Sequence, residues 1–87
     1  MEGVAKTLAL ELAPVRVNIV APCLVKTDLW NSMDEEQRNG LFESTAAALP
    51  VGYVAGAADI APAYVHCMLQ HYLTGQQIVV DGGYTLL

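Results

Sequence analysis

Side chains able to do chemistry are few in this chain, and they are thinly spread. The densest set closes the stretch Val15 to Asp28, VRVNIVAPCLVKTD, where Cys23, Lys26, Thr27 and Asp28 follow a run rich in β-branched residues. In an open α/β sheet, ligands bind outside the carboxyl ends of the strands, so a thiol and a hydroxyl placed there are candidates for ligand contact. The Thr27 hydroxyl can both donate and accept a hydrogen bond, and it suits the N-cap of a helix equally well. Cys23 is reactive only if its surroundings favour the thiolate; a buried cysteine is ordinarily inert. His66 and His71 are five residues apart in an expected helix. A shared metal would want i, i+4 spacing, so no metal site is expected. Asp34-Glu35-Glu36 reads as a solvated helix start, and Asp81-Gly82-Gly83 as a turn with positive φ after a strand.

Composition narrows the function classes. The chain has 87 residues, which suggests one small domain or a piece of a larger one. Hydrophobic residues make up 54% and charged residues 15%, so some apolar surface is left for a neighbour. Four Lys plus Arg against nine Asp plus Glu argue against a nucleic-acid partner. No apolar run approaches the roughly 18 residues needed to span a bilayer, so no membrane partner is expected. The N-terminal residues lack the pattern of a signal peptide. Two cysteines without metal-ligand spacing then read as free thiols in a reducing, cytoplasmic setting.

The elements that must position these residues follow from periodicity. Val4, Ala5, Leu8, Ala9 and Leu12 predict a helix over 1–13, closed by Pro14. It has no N-cap, as expected of a chain cut inside a longer helix. A strand is expected over 15–20, broken by Ala21-Pro22-Cys23, with a short helical turn over 29–33. Asp34 caps a helix through Ala46-Ala47-Ala48, weakened by Gly40 and closed by Pro50. Residues 50–56, PVGYVAG, read as a connection. Ile60, Tyr64, Met68 and Leu69 predict a helix over 58–72, with Pro62 in its first turn and Thr74-Gly75 as its stop. Residues 77–81 form a second, buried strand. A strand, a helical crossover and another apolar strand make a parallel pair. Two strands are too few for a stable parallel sheet, so the chain reads as one edge of a larger one.

The stretches ALELAPVRVNIVAP, LVKT, LPVG, DIA and TGQQIVVDGG, in that order, resemble the C-terminal part of a short-chain dehydrogenase/reductase, and the match runs along essentially the whole chain. The resemblance implies an α/β fold, the C-terminal part of a Rossmann-type doubly wound parallel sheet. It also implies NAD or NADP as cofactor, an alcohol/ketone pair as substrate, and a homo-oligomer. Carried over residue by residue, Pro22, Val25 and Thr27 are the cofactor contacts. Backbone groups near Val25 would meet the nicotinamide carboxamide, and the Thr27 hydroxyl the carboxamide or a phosphate oxygen. The segment from Asp28 to about Leu49 is the substrate-binding lid, with Leu29, Trp30 and Met33 toward substrate.

The chain departs from the family pattern in three ways. Cys23 stands where the family has glycine, and its side chain would crowd a ligand that glycine lets approach. The glycine-rich cofactor motif is absent. So are the family's Tyr-x-x-x-Lys and its partner Ser: Lys6 has no tyrosine four residues before it, and Tyr53, Tyr64, Tyr72 and Tyr84 all fall late. Hydride transfer needs that tyrosine as acid or base. No residue of this chain is therefore expected to be catalytic, and the chain alone is expected to be inactive and to bind dinucleotide weakly or not at all. The alternative is a non-catalytic truncated paralogue that acts as an interaction module, through its first helix, its last helix-strand unit and the edge of its first strand. The residue that selects NAD or NADP follows the family's second strand and is not in this sequence.

Overall fold

The computed structural model describes residues 2–87, with side chains from residue 3 onward. Met1, at the start of the first expected helix, lies outside the described residues. Helix α1 spans Glu2–Glu11 and ends short of Pro14 in two turns, Leu12 N–H to Leu8 O and Val15 N–H to Leu12 O. Ala5 is fully inaccessible, whereas Leu10 is 82% exposed.

The first strand lies later than its β-branched residues suggest. β1 is Ile19–Pro22, not 15–20, and it runs through Ala21-Pro22 rather than breaking there. Val17 and Asn18 are hydrogen-bonded, but to a turn rather than a strand. Val17 N–H donates to Thr74 Oγ1, Gly75 N–H to Val17 O, and Gln76 N–H to Asn18 Oδ1. β1 pairs in parallel with β4, Gln77–Val80, in the register Ile19 to Gln77 through Pro22 to Val80. Proline is tolerated at the last position because a strand end has few ladder bonds to lose.

A second parallel pair joins β2, Val25–Lys26, to β3, Ala55–Gly56. β3 lies inside the segment expected to be a plain connection. Each strand of this pair has two residues, too short to carry a periodic signal.

A short 3-10 helix, Asp28–Ser32, follows β2 in the place expected for a helical turn. Helix α2 spans Glu35–Ala48 and starts as expected, with Asp34 Oδ2 accepting the Gln37 N–H at 3.3 Å. Helix α3 is Ala57–Leu69, so its ends differ from the expected 58–72. Asp59 reaches back to the Gly56 N–H at 2.9 Å, the reciprocal half of a capping box. Pro62 is then the sixth helical residue, in the second turn rather than the first. Proline there removes one intrahelical bond.

The far end of α3 stops before Thr74-Gly75 because Arg16 takes its last carbonyls. Nη1 donates to Cys67 O at 2.7 Å and to Leu73 O at 3.1 Å, and Nη2 donates to Met68 O at 3.1 Å. His71 thus lies beyond the helix.

Among the described residues, the buried apolar ones are Ala5, Leu49, Val54 and Ile60. The radius of gyration is 15.5 Å, against about 12 Å for a compact domain of this length. The accessible surface is 6134 Å², where about 5,000 Å² is usual for this mass. Apolar side chains therefore remain exposed, Leu10, Tyr72 and Val79 among them. No helix among the described residues is long and apolar enough to cross a membrane.

Candidate functional site

The chemistry-bearing residues gather in two hollows, one at the carboxyl ends of β1 and β4 and one at the carboxyl ends of β2 and β3. The first, about 190 Å³, is bordered by Cys23, Leu49, Val51, Tyr53, Val80 and Asp81, among others. Its walls come from the loop after β1, the chain after α2 and the turn after β4. The second is shallower and is lined by Val25, Thr27, Ala57, Ile60, Ala61 and Tyr64. Ile60, near the start of α3, borders both.

The residues expected to contact a cofactor divide accordingly. Val25 and Thr27 share the second hollow. Thr27 sits at the N-cap of the 3-10 helix in extended backbone, but its side chain makes no capping bond, and its carbonyl accepts the Trp30 N–H at 3.2 Å. Pro22 is exposed at the end of β1 and lines neither hollow. Cys23 is a half-buried free thiol in the first hollow, apart from Val25 and Thr27.

The three residues expected to face substrate also differ in setting. Leu29 is 79% exposed, and Met33 is half-buried at the end of the 3-10 helix. Trp30 has its indole N–H bonded to Val25 O at 3.0 Å, and its ring meets Phe42 edge-on with centroids 6.4 Å apart. Lys26 Nζ lies 5.3 Å from the Phe42 ring centroid, and Arg38 Nη1 donates to Trp30 O at 3.4 Å. The Trp30 bond was not legible in the sequence, because nothing there reveals which carbonyl an indole N–H will reach.

The floor of the first hollow is a turn that requires its glycines. Gly82 has φ +64° and Gly83 φ +96°, and Val51 N–H donates to Gly82 O at 3.1 Å. Asp81 holds the turn closed: its Oδ1 accepts Gly83 N–H and its Oδ2 accepts Thr85 N–H, both at 3.0 Å. Partial burial pushes the Asp81 carboxyl up. The Gly83 and Thr85 amides and the Thr85 hydroxyl outweigh this and hold it below its ordinary value of 3.8. A lowered folded value means that the charged form favours the folded turn. That contribution is present in full above the ordinary carboxyl range and is lost as pH falls through the lowered value. An NMR titration should show the Gly83 and Thr85 amide shifts moving together at a pH below 3.8. In Asp81→Asn that step should vanish.

Among the described residues no group of three or more His, Cys, Asp or Glu side chains could hold a metal ion.

Comparison with known proteins decides the family. A family model described as enoyl-(acyl carrier protein) reductase matches residues 1–85. A short-chain dehydrogenase/reductase of Acremonium is 34% identical over 83 residues, covering 95% of this chain and 31% of that protein. The chain belongs to the short-chain dehydrogenase/reductase family. Carbonyl reductase family member 4 of Danio rerio, another relative, is 36% identical over 89 residues, covering 100% of this chain and 35% of that protein. A small-chain dehydrogenase solved in complex with NADPH is 44% identical and superposes with a TM-score of 0.94, covering 99% of this chain and 39% of that one. The parallel strands and their helices are therefore a part of the Rossmann-type α/β fold of this family. The chain spans about a third of the length of the curated relatives it matches.

Proposed function

We propose that this chain forms the nicotinamide-side wall of an NAD(P)-dependent oxidoreductase acting on an alcohol/ketone pair. The observation that carries this reading is the placement of Val25 and Thr27 together in one hollow at the sheet's carboxyl edge, where open α/β folds bind ligands. The residues there fit a dinucleotide's uncharged end. The hollow is largely apolar, and the Thr27 hydroxyl is not spent on capping. A bound NAD or NADP supplies the hydride donor or acceptor. The Thr27 hydroxyl and backbone groups near Val25 would hold the carboxamide, and Pro22 sets the direction of the chain leaving β1. Leu29 and Met33, on the segment 28–49, offer apolar contact to a substrate above that site, and this segment serves as its lid. The group that moves the proton lies in a part of the fold this chain does not supply. The functional unit works as a homo-oligomer.

The test is a chimera. The 87 residues replace the matched C-terminal region of the small-chain dehydrogenase that is 44% identical to them. Fluorescence titration with NADPH and NADH should show micromolar binding by the chimera, together with reduction of a ketone. Thr27→Val should weaken nucleotide binding about fivefold, the worth of one hydrogen bond of roughly 1 kcal/mol. A chimera that folds but binds neither nucleotide would overturn this reading in favour of the non-catalytic interaction module.

A further inference from the structure

We infer that Trp30 is a positioning residue that couples the segment 28–49 to the backbone of β2. This rests on the dinucleotide reading given above. Trp30 belongs to the 3-10 helix, yet two of its polar groups, the indole N–H and the carbonyl, also reach other elements. Its indole N–H donates to Val25 O in β2 at 3.0 Å. Its carbonyl accepts Met33 N–H at 3.1 Å and Arg38 Nη1 at 3.4 Å, which ties it to the start of α2. Its ring stands edge-on to Phe42 in the middle of α2, and Lys26 of β2 reaches the same Phe42 ring. β2 and α2 are thus joined through one indole and one phenyl ring.

The coupling follows from the chemistry of these contacts. α2 has no buried residue of its own, so it has little apolar packing to hold it against the sheet. A half-buried indole N–H that lost the Val25 carbonyl would lack a hydrogen bond, which is costly away from water. Movement of α2 therefore pulls on Val25, two residues before Thr27. Equally, a ligand that fixes Val25 to Thr27 fixes Trp30 and, through Phe42 and Arg38, holds α2 in place. Affinity at the hollow and order in the covering segment rise together, by linkage.

Trp30→Phe keeps a six-membered aromatic ring that can face Phe42, but it removes the N–H together with the rest of the indole's five-membered ring. In the chimera, the NADPH dissociation constant should rise about two- to tenfold, the range expected for loss of one hydrogen bond. The more telling readout is hydrogen exchange. With wild-type sequence, NADPH should slow exchange of the amides in 35–48; in Trp30→Phe that nucleotide-dependent slowing should be largely lost, although the protein stays folded. If Trp30→Phe does not fold, Phe42→Leu, which alters the α2 side of the junction alone, should show the same loss. A variant that folds, binds NADPH as the wild type does and keeps the full protection of 35–48 would overturn the inference. If the wild-type chimera itself binds no nucleotide, the reading of the previous subsection falls, and this one with it.

Discussion

Arg16→Ala is expected to cost about 2–4 kcal/mol of stability, because it takes the charged donor from two part-buried carbonyls and one exposed carbonyl. The last four carbonyls of a helix have no intrahelical partner. In α3 these belong to His66, Cys67, Met68 and Leu69. His66 O is met by Gln70 N–H at 2.9 Å, while Cys67 O and Met68 O are met by the Arg16 guanidinium. The same group reaches Leu73 O, which also accepts from Asn18 Nδ2 at 2.9 Å. One side chain therefore fastens the end of α3 and the following turn to the chain entering β1, across more than fifty residues of sequence. Arg16→Lys should recover less than half of the loss. An ammonium is a point charge and cannot spread its donors over three carbonyls as a planar guanidinium does. Urea unfolding of the chimera, followed by circular dichroism, reads both variants. A loss below about 0.5 kcal/mol for Arg16→Ala, the size of an ordinary surface substitution, would show that water replaces the guanidinium at no cost.

Gly83→Ala is expected to be of similar size, for a different reason. A Cβ on Gly83 would lie 2.7 Å from Pro50 Cγ and 2.9 Å from Pro50 Cβ, with φ at +96°. The proline ring cannot swing away as a long side chain would, so the turn after β4 must move off the chain after α2. Left-handed backbone costs about 1–2 kcal/mol for a residue with a Cβ. Overpacking adds about 1–3 kcal/mol. Gly52→Ala separates the two terms, because Gly52 has φ +87° but nothing within 4 Å of an added Cβ. It should show the backbone cost alone. Equal losses at Gly52 and Gly83 would show that the Pro50 contact carries no weight. Because this turn floors the first hollow, Gly83→Ala should also change the reactivity of the Cys23 thiol toward a small alkylating agent.

Much of this architecture is legible in the sequence, and the places where it is not share a cause. α2 is readable because Asp34 caps it and the helical pattern continues over fourteen residues. β4 is readable as a short apolar run ended by Asp81-Gly82-Gly83, and the parallel pairing of β1 with β4 follows from the crossover between them. The β2–β3 pair is not, because two residues carry no period and Gly52 and Gly56 punctuate the approach. The start of β1 is misplaced because Val15 and Val17 look like strand residues. Val15 N–H instead turns back to Leu12 O, and Val17 meets the Thr74–Gly75 turn, a tertiary choice that no local pattern records. For the site, the order of motifs picks out Val25 and Thr27, and the structure places them in one hollow. That Cys23 lies in the other hollow, and that Trp30 spends its N–H on Val25, depend on side-chain geometry alone.

As proposed above, these 87 residues are one wall of a dinucleotide site and not a site by themselves. One fluorescence titration tests it, with NADPH added in parallel to the chain alone and to the chimera that restores the rest of the fold. Micromolar, saturable binding is expected of the chimera, and no saturation in the micromolar range of the chain alone. Micromolar binding by the chain alone would contradict it.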